Sequence, residues 1–384
     1  MYIAILGRQP ALGIAELERL YQDVSWHSSM SATFNTDSFS IERLGGTQKA
    51  GRVILEMPRG DWRTISMKIV QHYTKAWAGY DGKITIGLSA YNFDISPRDV
   101  QKTGLILKSK MKNLGVSLRL VPNTDIALNT ATSHHNKLGL SDNKVELLIV
   151  RNQNGKIIVA ESTGSQNIRA LAARDQGRPK RDAFVGMLPP KLAQIMINLS
   201  GNPDGRILDP FCGTGVILQE AALLGHDVYG TDLAEKMISF TQTNLEWLRD
   251  KYNLSFGAEL NDGDATSTTW KSPIAAVVAE TYLGQPFSAP PSPSKLTEVR
   301  GNCNHIITQF LKNIGTQIEP GTPVCIAVPA WKDTYGDFTH LPLIQKVEDL
   351  GYSEVRFSTI NNEQLLYYRE DQVVARELLV LLKN

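Results

Sequence analysis

The chain is poor in cysteine, has no long apolar run and carries no surplus of either charge, and each shortage removes a class of protein. Its three cysteines, Cys212, Cys303 and Cys325, are odd in number, widely spaced and form no CxxC pair. Such spacing gives neither a disulfide framework nor a zinc site, and it suits a reducing compartment. No uninterrupted apolar stretch approaches the roughly 20 residues that span a bilayer. The opening MYIAILGRQP has no basic leader and no extended apolar core, so the expectation is a cytoplasmic, unanchored protein. Lys plus Arg number 40 against 39 Asp plus Glu, a net charge of +1. Any affinity for nucleic acid therefore has to come from a local patch.

What is present is globular. Hydrophobic residues make up 42% of the chain and charged ones 21%, and 384 residues suit two or three domains with their own cores. Tyr2 to Leu6 reads as a buried strand and Ala11 to Tyr21 as an amphipathic helix, a β-α opening. Strand patterns follow at Ser38 to Leu44, Arg52 to Glu56, Lys83 to Ala90, Val116 to Val121, Glu146 to Val150 and Lys156 to Ser162. Helical patterns cover Trp62 to Tyr73 and Arg98 to Leu114, so this half reads as α+β. Between Ile168 and Lys191 basic residues dominate (Arg169, Arg174, Arg178, Lys180, Arg181), opposed only by Asp175 and Asp182. This reads as an interdomain linker with a basic stripe able to meet phosphates or to pair with nearby carboxylates. From Gly205 the pattern alternates strand and helix, which predicts βαβ units and a parallel sheet beginning near Phe184. Leu365 to Arg369 and Val373 to Lys383 flank a turn and predict a hairpin that closes the sheet with an antiparallel edge strand. Pro286 to Ser294 is the one biased segment, a lid or a solvated connector.

The chemistry concentrates at strand ends. Arg206-Ile-Leu-Asp-Pro-Phe-Cys-Gly-Thr-Gly215 is an apolar strand running into a carboxylate and a Gly-x-Gly turn, where missing Cβ atoms let backbone approach a ligand. A dinucleotide site wants a third glycine for pyrophosphate, and that position holds Leu218. Asp209 ahead of the turn favours a ligand with a cationic head and no phosphate. Asp232 ends the next strand, where a carboxylate can accept from both hydroxyls of a ribose. Asp264, in the turn Asn261-Asp-Gly-Asp-Ala-Thr266, is placed to accept from an adenine amine. S-adenosylmethionine meets these conditions, with Asp209, Phe211, Gly213, Thr214, Gly215, Asp232, Leu233, Asp264 and Ala265 as its candidate contacts. A fourth, wholly apolar strand, Ile274 to Ala279, delivers Glu280-Thr281-Tyr282-Leu283 to the same edge. Methylating an aromatic exocyclic amine needs an acceptor for its N–H, and Glu280 is the candidate, with Thr281 beside it. Tyr282 can hold an extruded base flat. Cys212 reads as a packing residue, because no histidine lies near it in sequence. His134 and His135, if extended, face opposite ways and cannot share a metal, so no metal is assigned.

With these residues the chain resembles the THUMP-containing tRNA guanine N2-methyltransferase family, which modifies the guanosine at position ten. The likeness rests on MYIAILGRQPALGIAELE, on ERLGGTQKAGRVI from Glu42 to Ile54 and on RDAFVGMLPPKLAQIMINL from Arg181 to Leu199. DPFCGTGVILQEA from Asp209 to Ala221 and the closing hairpin complete it. The resemblance implies a ferredoxin-like unit (residues 1–85), a THUMP-like RNA-binding domain (86–167), a basic linker (168–183) and a Rossmann-like α/β class I methyltransferase domain (184–384). It also implies a tRNA substrate, a segment at Gly186 to Lys191 with Pro189 lying over the cofactor, and a small activating protein partner. The chain departs from the family at its catalytic loop, where Asp or Asn, two prolines and an aromatic are usual. Both prolines are absent here, and matching four residues to four puts Leu283, not Tyr282, in the aromatic slot. An adenine N6-methylase and a tRNA-binding protein without transfer activity are the competing readings.

Overall fold

A computed structural model describes residues 1–182 and 187–384, and its contacts divide them into two units. Expectations that fall on Phe184 and Gly186 lie outside the described residues. The first unit is Met1–Pro10 with Tyr21–Ile168, and the second is Ala11–Leu20 with Arg169–Asn384. The β-α opening is therefore shared out, its strand to one unit and most of its helix to the other.

In the first unit, β1 (Tyr2–Leu6), β2 (Gln22–Ser28), β3 (Ser31–Asn35), β4 (Thr47–Met57), β5 (Lys83–Tyr91), β6 (Ser117–Leu120), β7 (Lys144–Arg151) and β8 (Ile157–Ser165) form one sheet. Its order is β2-β3-β1-β4-β8-β7-β5-β6, and the residue 85/86 boundary falls inside β5. Helices α2 (Trp62–Ala76) and α3 (Pro97–Asn113) bury Ile65, Ile69, Val100 and Leu107 in this unit's core. Ser96 caps α3 in a reciprocal capping box with Asp99. Lys49 is buried and paired with Glu146, donates to the Leu128 carbonyl at 2.6 Å, and shares Glu146 with the Ser89 hydroxyl.

Two expectations for this unit need correction. Ser38 to Leu44 is not a strand but a loop with a 3₁₀ turn at Ile41–Arg43, and Phe39 stacks on Tyr2 with ring centroids 5.2 Å apart. Within that run only Ile41 and Leu44 are buried, and Phe39 is half-buried through its aromatic contacts and not through sheet pairing. The histidine pair is helical, at the end of α4 (Thr130–His135), so the strand geometry assumed for it does not apply. β2 escaped notice because QDVSWHS has no alternation and its pairing with β3 shifts register twice.

The second unit is a doubly wound α/β layer. Its strands are β9 (Ile207–Asp209), β10 (Val228–Asp232), β11 (Ala258–Asp262), β12 (Ala276–Glu280), β13 (Pro323–Lys332), β14 (Phe338–Thr339), β15 (Tyr352–Glu354), β16 (Leu366–Tyr367) and β17 (Val374–Lys383). The order is β11-β10-β9-β12-β13-β17-β15, parallel from β11 to β13, with β17 antiparallel to both neighbours. The expected antiparallel strand is thus present but is not the edge. Leu378 and Val380 enter one core while Leu379 and Leu381 enter the other, so both faces of β17 are covered and the short β15 forms the rim. On one face lie α1 (Pro10–Leu20), α6 (Pro190–Leu199) and α7 (Val216–Leu223), which bring Leu12, Leu192, Met196 and Leu218 onto Ile207, Ala276, Val278 and Ala327. On the other face α9 (Pro293–Gly315) packs Cys303, Ile307 and Phe310. Ser292 and Pro293 start α9, so the end of the proline-rich segment is a helix start.

α1 is tied down by polar contacts as well. Asn198 donates to Glu16 at 2.7 Å, Arg19 donates to the Leu199 carbonyl at 2.9 Å, and Glu18 accepts from the backbone of Ser358 and Thr359. The expected linker begins as a helix, α5 (Ile168–Gln176), whose Arg174 makes a two-pronged bond to Glu220 of α7 at 2.6 and 3.0 Å. Arg174 and Arg178 are both buried, which removes them from any exposed basic stripe. Burial pushes the Glu220 carboxyl up, and Arg174 offsets part of that rise. Glu220→Ala leaves the Arg174 charge buried without its partner and is expected to cost about 3–5 kcal/mol. The double change Arg174→Met with Glu220→Leu is expected to cost much less, with urea-unfolding midpoints as the measurement.

Candidate active site

The first parallel strand of the second unit has β10 on one side and β12 on the other, so the chain leaves β9 and β12 in opposite directions. A crevice at the carboxyl ends of the strands follows from that switch, and open α/β sheets bind ligands there. Strand alternation settles which side chains face it. Ile207, Val278 and Ala327 belong to the α6–α7 face, so two-residue steps put Asp209 and Glu280 on that same face.

The turn after β9 is held open by its neighbours. Asp209 is buried, and its Oδ1 accepts from the Phe211 N–H at 3.1 Å. Asp232, at the end of β10, accepts from Gly213 N–H through Oδ2 and from Ala234 N–H through Oδ1, each at 2.9 Å. Thr241 of α8 (Glu235–Tyr252) donates to the Gly213 carbonyl at 2.8 Å. Gly215 has φ +79°, and a Cβ there would lie 2.8 Å from the Thr241 methyl. Gly213, at φ +50°, has nothing nearer than 4.0 Å to its missing Cβ. One glycine is demanded by packing and the other opens onto space.

The electrostatics are one-sided. Burial pushes the Asp209 carboxyl well above its usual range, the Phe211 bond opposes this, and the charges of Asp232 and Glu280 add to it. Burial likewise raises Glu280, with Arg376 of β17 pulling back through an ion pair to Oε1. Asp264 is set apart. It is exposed, Thr266 bonds to it through N–H at 2.8 Å and hydroxyl at 2.7 Å, and these bonds hold its carboxyl below the usual value. Asp209, whose charge is disfavoured by burial and by Asp232 and Glu280 beside it, is a fit for a cationic guest, and the open Gly213 turn leaves room for that guest's backbone-bound part.

The other sequence candidates sort by environment. Tyr282 is 41% and Leu233 77% exposed, Ala265 is buried, and Phe211 packs edge-on against Phe310 at 5.1 Å. Pro189 is the N-cap of α6, with Pro190 as its first residue. Thr281 is turned to the sheet, where its N–H and hydroxyl both donate to the Ala327 carbonyl at 3.0 and 2.9 Å, so its hydroxyl anchors the strand end. Thr214 contributes its carbonyl, which accepts from Asn244 at 2.8 Å. Cys212 is buried and its thiol is pushed well up by burial, which keeps it protonated and inert.

Three contributors were absent from the sequence reading. Thr241 props the glycine turn, Asn244 bonds both the Thr214 carbonyl and the backbone of Lys180, and Arg376 grips Glu280. None lies in a local pattern, since each acts from an element remote in sequence. Among the described residues no group of three or more His, Cys, Asp or Glu could hold a metal.

Strand order and the acidic, glycine-bearing edge define the second unit as a Rossmann-like methyltransferase fold. Residues 178–268 match the family described as UPF0020, RMKL-like methyltransferase domain. The tRNA (guanine(10)-N2)-dimethyltransferase of Methanothermobacter thermautotrophicus is 33% identical over 162 residues, 41% of this chain and 44% of that protein. The Pyrococcus abyssi protein of the same name is 48% identical over 102 residues, 27% of this chain and 26% of the other. The chain thus spans less than half the length of these curated relatives. The crystal structure of TrmN from Thermus thermophilus shares the fold, with a TM-score of 0.52 at 17% identity over 100% of this chain and 99% of that one.

Gly215→Ala is expected to destabilise the protein more than Gly213→Ala. Both forfeit about 1–2 kcal/mol for a left-handed backbone, and only the first also collides with Thr241. Thermal unfolding of the two variants measures the difference.

Proposed function

We propose that the chain is an S-adenosylmethionine-dependent RNA methyltransferase that acts on the N2 amine of a guanosine in tRNA. The observation that carries this reading is the gathering of Asp209, Asp232 and Glu280 on adjacent strand ends beside an open, left-handed glycine turn. The names of the partial relatives support the choice of base and substrate. In this reading residues 1–85 and 86–167 are the ferredoxin-like and THUMP-like parts that hold the RNA, and 184–384 the catalytic domain.

Asp209 and Asp232 would hold the cofactor by its cationic and ribose groups, with Gly213, Thr214, Gly215, Leu233, Asp264, Ala265 and Pro189 around it. When bound it supplies a sulfonium methyl, whose transfer forms an N–C bond, returns the S–C electron pair to sulfur and releases one N–H proton. Glu280 accepts that proton from the amine, and Tyr282 offers a flat, partly exposed ring to the extruded base. Removing a delocalised lone pair from its ring is what makes the acceptor necessary. Cytoplasmic location and a small activating partner belong to the same proposal.

Incubating the protein with unmodified tRNA and methyl-labelled cofactor, followed by mass spectrometry of the nucleosides, tests the function. Methylguanosine is the expected product; methyladenosine or no product would overturn the guanine assignment. Glu280→Gln, which keeps shape and loses the proton acceptor, is expected to lower kcat by about 10²–10⁴-fold.

Cofactor affinity carries a pH signature. Burial raises the Asp209 carboxyl and a cationic guest favours its charged form, so cofactor binding lowers its hold on a proton and tightens as pH rises through the titration of the free carboxyl. Calorimetry in buffers of different ionisation enthalpy measures the proton release on binding, and Asp209→Asn is expected to abolish it.

A further inference from the structure

Glu280 and Arg376 form an ion pair although their strands do not touch. β13 runs between them: Glu280 is level with Ala327 on one side, and Arg376 is level with Pro329 on the other. Two strand spacings put the backbones about 9–10 Å apart. The β13 residues beneath the bridge, Ala327 and Pro329, carry no long side chain to block it. Alternation along β17 puts Arg376 on the face of Leu378 and Val380, which is the face of Asp209 and Glu280.

The distance accounts for the residue types. An aspartate at position 280 is one methylene shorter, and a lysine at 376 offers a point charge in place of a planar fork. Glutamate in the catalytic loop is therefore matched to an arginine two strands away. Arg376 is itself buried, and it engages Glu280 through Oε1. Among the described residues Oε2 has no hydrogen-bond donor, which leaves it for another partner.

We propose that Arg376 is a positioning residue for methyl transfer, holding one oxygen of Glu280 across β13 so that the other is presented, as carboxylate, to the target amine. This rests on the reading of Glu280 as proton acceptor. Among the charged groups around Glu280, Arg376 is the one that favours its ionised form. Asp209 on β9 repels its charge. β13 contributes no titratable group at Ala327 or Pro329. Glu377, the next residue on β17, turns to the opposite face and bonds His340 Nδ1 at 2.7 Å. Burial drives the Glu280 carboxyl toward its neutral form, and Arg376 opposes it. Without the guanidinium the Glu280 carboxyl moves further up, so less of it is carboxylate at any given pH. Full activity then comes only at higher pH.

The test compares wild type with Arg376→Met, Arg376→Lys, Glu280→Gln and the double variant Glu280→Gln with Arg376→Met, each checked for folding by circular dichroism. Arg376→Met is expected to lower kcat near neutrality about 100-fold with KM for tRNA unchanged. Its acid limb in the kcat profile should move up by about 1–3 pH units. Arg376→Lys, which keeps the charge, should return the limb toward wild type, and the double variant should be no worse than Glu280→Gln alone. An unchanged limb, or losses that multiply in the double variant, would overturn the proposal while leaving the methyltransferase reading intact.

An isotope-edited infrared titration of the Glu280 carboxyl needs no turnover and can use Arg376→Lys if the methionine variant does not fold. A carboxylic acid band that persists to higher pH in Arg376→Met, or a smaller displacement in Arg376→Lys, supports the role. Identical titrations reject it. A wild-type protein that binds the cofactor and transfers no methyl group to any tRNA would overturn both the acceptor role and the part Arg376 plays in it.

Discussion

Burial of the Asp209 carboxylate beside two further acidic residues is the constraint around which the second unit is built. A parallel sheet whose strand order reverses must leave a crevice at its carboxyl ends, and the chain has put an acidic residue at or just past three adjacent ends. Such an edge is unfavourable by itself. It is stabilised by the backbone N–H groups of Gly213 in the turn and of Ala234, which bond Asp232, and by a guanidinium from β17, which bonds Glu280. The rest of the unit follows as support: α7 and α8 fix the turn, α6 covers the same face, and β17 is driven inside the sheet by its apolar faces.

The sequence made some of this legible. Local patterns revealed the parallel half, because strand, carboxylate, glycine turn and helix follow one another between Arg206 and Leu218. Asp232 and Glu280 could be found because each ends an apolar run. The remainder depends on register between distant segments. That Arg376 meets Glu280 requires knowing that β17 inserts beside β13, and the apolar stretch Leu378 to Leu382 says only that the strand is buried. Likewise Thr241 and Asn244 look like ordinary polar positions on a helix until the glycine turn is laid against them.

The basic stretch from Arg169 to Arg181 shows why charge counting alone misleads. Its arginines suggested a phosphate track, yet Arg174 and Arg178 are interior. A guanidinium paired with Glu220 fastens α5 to α7, the helix that starts from the glycine turn, and so the charge is used for construction. The polar contacts of Glu16, Glu18 and Arg19 do the same for α1, whose apolar residues alone would leave its rotation on the sheet less fixed.

The interior position of β17 also bears on how the molecule is made. A chain emerging from the ribosome at about 5–20 residues per second releases β9 to β13 ahead of β17, so the parallel strands can pair before the antiparallel one is available. Arg376 reaches Glu280 across 96 residues of chain, and it does so from a strand that must slot between two others. The parallel half of the sheet can thus exist before its chemistry does, and a nascent protein caught at that stage would display the acidic crevice without the guanidinium that tames it.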